Sequence, residues 1–599
     1  MRSILMAVRG LTTALAIVLL AAACKPSDSP VQPESQAAPA PQAAASAPDE
    51  APAPAWNAFV DDFIEAFLVA HPAWAVVQGR HEFDGQLPDW SQDGIAAEIA
   101  RLKTLRDQAR SFASADLGPE GEYQRDYLLA TVDRILFWMD KAEWPYANPA
   151  FYFDWQLDSL DPSPYIALDY APLAERMQAF TRYAENIPRA VAQIRENLRM
   201  PMPRTRLEYG IASFGGMATY LRDDVPGVFA GAGDESAQAR FSEANAAAAD
   251  ALTELTDWLI SNRESATEDY ALGADLFRQM LYDTERVDIS LADLEAMGRE
   301  DMRRNQRALG EACAEFAPGE SIQACFARMA NRKPPGGAVE TAREQVEEIR
   351  AFLVEQDLVT IPGPEKALVA ESPPYARSNS AYINIPGPFE KNQPSVYYIS
   401  PPDPSWPEEV QQAYIPGESD LLFTSVHEVW PGHFLNFLHA NRAEWIFGRL
   451  FVTYAFGEGW AHYTEEMMLE AGLRDASAET RIGQISNALL RNARFLSAIG
   501  LHTQGMSVAE SERLFMEEAY QDEGTARQQA ARGTYDPAYL NYNLGKLMIR
   551  QLREDWTEGR GGRDAWREFH DTFLSFGGPP IPLVRARMLG GKAGHVDGD

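Results

Sequence analysis

Val426-His427-Glu428-Val429-Trp430-Pro431-Gly432-His433 is the stretch on which the reading of this chain turns. It carries two of the nine histidines, with a carboxylate beside the first. Apolar runs flank it, Leu421-Leu422-Phe423 before and Phe434-Leu435 after. In a straight helix, metal ligands share a face at i and i+4, as in His-Glu-x-x-His. Here the two histidines are six apart. At about 100° per residue they would point roughly 120° apart. Pro431 removes one backbone hydrogen bond, and Gly432 tolerates unusual dihedrals. Together they allow a kink that swings His433 back toward His427. On these eight residues alone two readings stand: a helix break with two satisfied histidines, or part of a metal site.

A second polar cluster, Phe456-Gly457-Glu458-Gly459-Trp460-Ala461-His462-Tyr463-Thr464-Glu465-Glu466, tips the balance. Glu458 lies 25 residues after His433. His462 follows it by one helical turn and Glu465 by two, on the same face. The rest of that helix is largely apolar (Trp460, Tyr463, Met467, Leu469), which a solvated surface explains poorly. Two imidazoles, one carboxylate and an open fourth position describe a catalytic zinc site.

The chain has 599 residues, 46% of them hydrophobic and 11% aromatic, enough for a sizeable core. Its 53 basic against 87 acidic residues give a net charge of −34. That argues against nucleic acid or an anionic membrane surface as partner, since both would repel it. The N-terminus reads as a targeting segment. Arg2 and Arg9 precede a mainly apolar run over 11–23, short for a bilayer span. The run ends in Leu20-Ala21-Ala22-Ala23-Cys24, which resembles a bacterial lipobox with Ala21 where leucine is usual. The resemblance implies a signal peptide over 1–23, lipidation at Cys24, and a cell-envelope location. Lys25, rather than Asp, after the cysteine favours the outer membrane, facing the periplasm. Residues 24–55 are rich in Pro and Ala and read as an extended tether. Cys313 and Cys325 flank the turn signal Phe316-Ala317-Pro318-Gly319 and are expected to form a disulfide in an oxidising compartment.

From Trp56 on, helical periodicity dominates, with Trp56, Phe59, Val60, Phe63, Ile64 and Phe67 at three- and four-residue spacing. Further helices are expected over 95–113, 123–140, 173–198, 237–260, 271–281 and 339–355. Another is capped by Ser290 and runs to about Glu315. Two short strands, over 381–385 and 395–399, alternate aromatic or β-branched residues around Pro386-Gly387-Pro388. They form either a packing hairpin or an edge that binds an extended peptide beside the metal, with Tyr382 then touching substrate. Helices resume near Asp420, with breaks expected at Gly500, Gly505, Gly524, Gly533 and Gly559-Arg560-Gly561-Gly562. No second linker interrupts the chain. The expected fold is therefore mainly α: one large multi-helical domain over 56–590, with a small antiparallel β-sheet next to the active cleft and a flexible tail over 591–599.

His-Glu-x-x-Pro-Gly-His followed by Glu-Gly-Trp-Ala-x-Tyr-x-Glu resembles the bacterial family called domain of unknown function 885. Gly500-Leu501-His502, and Tyr535-Asp536-Pro537 leading into Tyr542-Asn543-Leu544-Gly545-Lys546, fit it too. A wider likeness is to gluzincins of the thimet-oligopeptidase, angiotensin-converting and Taq-carboxypeptidase type. The resemblance implies zinc held by His427, His433 and Glu458, with Glu428 as the base that activates a zinc-bound water. Glu465 would orient a ligand from behind. His462 would lie there too, although this position is usually apolar in the family. Spacings of 3, 4 and 4 put Tyr539, Tyr542, Lys546 and Arg550 on one face. The tyrosines could stabilise an oxyanion and the cations hold a substrate carboxylate, or the stripe could be a solvated edge. His502 is read as contacting substrate, with a helix-capping role as its rival. His71 and His439 are read as structural, and His81, His570 and His595 suggest no role.

The expected activity is zinc-dependent cleavage of short peptides by a lipid-anchored carboxypeptidase or oligopeptidase. Its membrane contact would be through the anchor only. The alternatives are a lipoprotein that binds peptide or another ligand without cutting it, and a zinc amidase or esterase using the same site.

Overall fold

The computed structural model describes residues 54–590, apart from 154–156, 374–376, 378–379, 403 and 405. The signal segment, Cys24, nearly all of the tether and the 591–599 tail lie outside the described residues. All described residues fall in one compact unit, Glu50–Asp599.

Helices dominate, and side chains start many of them. Ser290 accepts the Asp293 N–H (3.1 Å) at the head of Leu291–Phe316. Thr453 accepts the Phe456 N–H at the head of Tyr454–Glu470. Ser507 and Glu510 form a reciprocal capping box. Most expected helices are present near their expected bounds: Pro54–Ala70, Gln92–Ser111, Leu173–Asn197, Glu235–Ser261, Ala274–Glu285 and Ala338–Glu355. The 123–140 helix starts a few residues earlier, after a kink at Gly118 within Ser114–Leu136, and its last turn widens into a π-helix over Phe137–Lys141. One long helix, Arg204–Asp223, has no counterpart in the sequence reading. Gly500 and Gly533 do not break helices: they lie inside Ala478–Thr503 and Glu523–Tyr535. Each is pressed against a neighbour that a methyl group would hit. At Gly533 that neighbour is the Tyr539 hydroxyl, and at Gly500 it is Met506.

The sheet has three strands, β1 (Leu368–Glu371), β2 (Ala381–Asn384) and β3 (Val396–Ile399), in the order β1-β3-β2. β2 pairs antiparallel with β3, but β1 pairs parallel to it, so the sheet is mixed rather than antiparallel. A parallel neighbour comes from a long connection, not a turn, and leaves no hairpin signal. Tyr397 and Ile399 point into the core, and the Tyr397 hydroxyl lies 3.4 Å from Ser425 Oγ, two residues before His427. The sheet thus braces the helix that carries the first histidine.

Ala478–Thr503 runs through the centre, buried along almost its whole length. Tyr454–Glu470 lies along Asn541–Thr557, and the two backbones meet at Gly459 and Gly545, where an added methyl group would fall 2.5 Å from the opposite Cα. A disulfide joins Cys313 and Cys325 at the end of Leu291–Phe316.

Candidate metal centre

The helix Glu418–Glu428 stops one residue after His427, and a new helix, His433–Ala440, begins with His433. Between them the Trp430-Pro431 peptide is cis. The Trp460 indole N–H bonds to the Pro431 carbonyl (2.8 Å), and the Gly432 N–H to the Val426 carbonyl (3.1 Å). The two imidazoles end 4.8 Å apart between ring centres and perpendicular. Glu458 enters from Tyr454–Glu470, and its Oε2 lies 3.3 Å from Nε2 of both histidines. A tetrahedral zinc with bonds of about 2.0–2.1 Å needs ligand atoms roughly 3.3 Å apart. These three residues are the one group among the described residues that could hold a metal ion, with ligand atoms all within 4.8 Å of one another.

Glu465 Oε1 lies 2.8 Å from His427 Nδ1 and is fully buried. It fixes the imidazole as an Nδ1–H donor and leaves the Nε2 lone pair facing the centre. Glu458 Oε2 is buried and has no hydrogen-bond partner. Lone pairs and a carboxylate oxygen thus converge on one point, a donor set that would fit a cation. Without a metal, burial opposes protonation of His427, but the adjacent Glu458 and Glu465 carboxylates outweigh it and raise the group to about 9. Burial likewise opposes ionisation of Glu458, yet the two imidazoles hold it well below the usual carboxylate range.

Glu428 makes no hydrogen bond or ion pair to any described residue. Burial lifts its carboxyl above the ordinary range, against the pull of His427 and His433. Tyr542 stacks beside His427, ring centres 6.3 Å apart, and its hydroxyl has no partner among the described residues. Burial and Glu458 push its hydroxyl up, so it stays a donor. His462 is fully buried with Nδ1 3.4 Å from Glu465 Oε2, too poorly aligned for a hydrogen bond. Burial lowers it to about 4, so it is neutral behind the ligand shell.

The rest of the expected stripe turns elsewhere. Tyr539 is buried and donates to Ser497 Oγ (2.8 Å). Lys546 is 0% exposed and bonds Asp301 Oδ2 at 2.6 Å, with Glu466 at 3.5 Å. Arg550 pairs with Glu466 and Glu554. Lys546 is thus fully buried among carboxylates, while Arg550 keeps a partly exposed side chain. Replacing Lys546 by Met would take from the buried Asp301 one of its two cationic partners, leaving Arg304 and Asn492, and cost about 1–3 kcal/mol. The drop in thermal midpoint should shrink in the Asp301→Asn, Lys546→Met double variant. A substrate-binding Lys546 would instead change KM at constant stability.

His502 lies inside the core. One ring nitrogen bonds the Gly533 carbonyl (2.7 Å) and the other accepts the Leu272 N–H (3.2 Å). Neither is left for a substrate, and burial holds the ring down at about 4. The unfolded chain binds this proton near 6.5, the folded chain only near 4. Stability is therefore full above pH 6.5 and falls by roughly 1.4 kcal/mol per pH unit down to about 4. His502→Gln should remove one proton's share of that slope, read from thermal midpoints against pH. Tyr382 sits on β2, its ring tilted against that of Tyr398 with centres 5.3 Å apart. His71 is held by Asp158 and Glu98, and His439 by the Thr360 carbonyl.

Three residues escaped the sequence reading. Arg491 and Arg494, a turn apart on Ala478–Thr503, and Arg532 on Glu523–Tyr535 all lie within 5.9 Å of the Tyr542 ring. Arginines at i, i+3 on an otherwise apolar helix were the available signal.

The chain matches the family model described as "Bacterial protein of unknown function (DUF885)" over residues 72–588, and it belongs to that family. Two solved structures share the fold. One is a "putative lipoprotein of unknown function" from Shewanella oneidensis (TM-score 0.74, 22% identity, 90% of this chain and 100% of that one). The other is a "putative lipoprotein" from Colwellia psychrerythraea (TM-score 0.73, 15% identity, 89% and 99%). No curated protein matches the chain.

Proposed function

We propose that this protein is a zinc-dependent hydrolase of peptide bonds in short peptides. The carrying observation is the convergence of His427 Nε2, His433 Nε2 and Glu458 Oε2, with the unpartnered Glu428 beside them. A zinc ion held there supplies Lewis acidity, polarising a carbonyl and acidifying water. Glu428, half-buried and free of partners, takes the proton of the attacking water and returns it to the leaving amine. Tyr542 donates to the oxygen that gains charge. Glu465 keeps His427 in the tautomer that binds metal. The outer edge of β2, unpaired among the described residues, offers main-chain groups to an extended peptide. The ligand order, with a glutamate on a helix downstream of two histidines, is that of the gluzincins.

The envelope location belongs to the same reading. The lipobox-like Ala21-Ala22-Ala23-Cys24 and the tether would hold the body outside the membrane, facing the periplasm from the outer membrane. Both fold relatives are called putative lipoproteins. No described helix is long and apolar enough to cross a membrane.

Elemental analysis of the purified protein, with cleavage of a mixed short-peptide library followed by mass spectrometry, tests the proposal. One zinc per chain and cleavage abolished by a chelator are expected. A chain that takes up no zinc overturns the reading. A zinc-bound chain that cuts only simple amides or esters reassigns it to that chemistry.

A further inference from the structure

Arg494 is 8% exposed, yet it forms no ion pair with any described residue. Its Nε donates to Gln529 Oε1 (2.8 Å), and its guanidinium carbon sits 4.8 Å over the Tyr542 ring. Its two terminal nitrogens have no hydrogen-bond partner among the described residues. A buried guanidinium held only for structure is normally given a carboxylate. Its neighbours add charge instead. Arg532 bonds Asp536 and the Tyr454 hydroxyl. Arg491 bonds Asn487 and lies 3.4 Å from Glu465, a carboxylate already committed to His427, while its own Nε is buried without a partner. Burial and the adjacent Arg532 pull Arg494 down to about 10, which shows how little the protein offsets its charge. In a chain of net charge −34 this is a cluster of three arginines facing two carboxylates, Asp536 and Glu465.

Tyr542 links the cluster to the metal centre, with one ring spacing of 6.3 Å to His427 and 4.8 Å to Arg494. Those spacings put the guanidinium within about three extended residues of the centre, at roughly 3.3–3.6 Å per residue. We propose that Arg494, flanked by Arg491 and Arg532, binds a carboxylate of the peptide substrate and so places the cut within about three residues of it. This rests on the hydrolase reading above. The carboxylate is either the peptide's C-terminus, making the protein a carboxypeptidase, or an acidic side chain.

The test compares matched short peptides on the zinc-loaded full chain: a free acid ending in Gln, its C-terminal amide, and an amide ending in Glu. The free acid should be cut with a kcat/KM about tenfold to a hundredfold above the Gln amide. Arg494→Met should collapse that ratio through KM, and Arg494→Lys should restore part of it. If the Glu amide is preferred as strongly as the free acid, the carboxylate is a side chain. Equal rates for the Gln acid, the Gln amide and the Glu amide in the wild type, which needs no variant to fold, would overturn the proposal. So would a stably folded Arg494→Met chain that keeps the preference. If no peptide is cut, the hydrolase reading fails by itself. Calorimetric titration of the same peptides into the metal-free chain then decides: tighter binding of a carboxylate-bearing peptide, lost in Arg494→Met, upholds the site, and equal affinities sink it.

Discussion

Glu428→Gln should lower kcat for peptide cleavage by about two to four orders of magnitude, while zinc content and thermal midpoint stay near wild type. The substitution keeps the shape and removes only the ability to accept a proton. Glu428 has no hydrogen bond or ion pair to lose, so nothing in the packing should fail. Its burial lifts the carboxyl above the ordinary range, which strengthens it as a base. It also follows His427 directly at the helix end, so its place beside the centre is set by the ligand helix itself. Turnover numbers at saturating peptide, paired with metal analysis, separate the possibilities. Unchanged kcat would put the base elsewhere. A loss of zinc would make Glu428 a ligand.

The helices were legible because their apolar positions recur at three and four residues and their caps are spelled out, as at Ser290. The centre was legible for a different reason. Its unusual six-residue spacing contains its own explanation in Pro431-Gly432, and the chain does leave the helix there. What could not be read depends on packing between distant segments. Tyr539, Tyr542, Lys546 and Arg550 follow a one-face spacing, but a short 3-10 turn over Pro537–Leu540 precedes the helix Asn541–Thr557. Along that helix the neighbours change from His427 at Tyr542 to Asp301 at Lys546. Equal spacing therefore did not mean a shared role. Glycines misled for a similar reason. Gly500 and Gly533 lie within helices, and close neighbours, not a turn of the backbone, account for glycine there. Nothing in the sequence singled out Arg494, and only the fold shows it buried without a counter-ion.

Gly432→Ala should cost about 3 kcal/mol or more and leave the chain unable to hold zinc at wild-type affinity. The reason is contact: the Gly432 φ of −71° is not left-handed, although its ψ of −131° lies outside the helical and extended ranges. A methyl group there would lie 1.8 Å from the His427 carbonyl oxygen, 2.4 Å from its carbon and 2.5 Å from the Val426 carbonyl oxygen. All three are backbone atoms, so no side chain can rotate away. Relief requires the backbone of His427 or of the Pro431-Gly432 link to move, and these carry the two imidazoles. A shift of an ångström there breaks the spacing of 3.3 Å that both histidines keep to Glu458. Gly310→Ala is the matched control: it lies in the helix Leu291–Phe316 with nothing within 4 Å of the added methyl group. That change should hold or raise stability by up to about 1 kcal/mol. Denaturation midpoints and zinc titration of both variants decide the matter. A Gly432→Ala chain as stable and as zinc-avid as the control would mean that the link bends freely, and that its tight fit does not set the distance between the ligands.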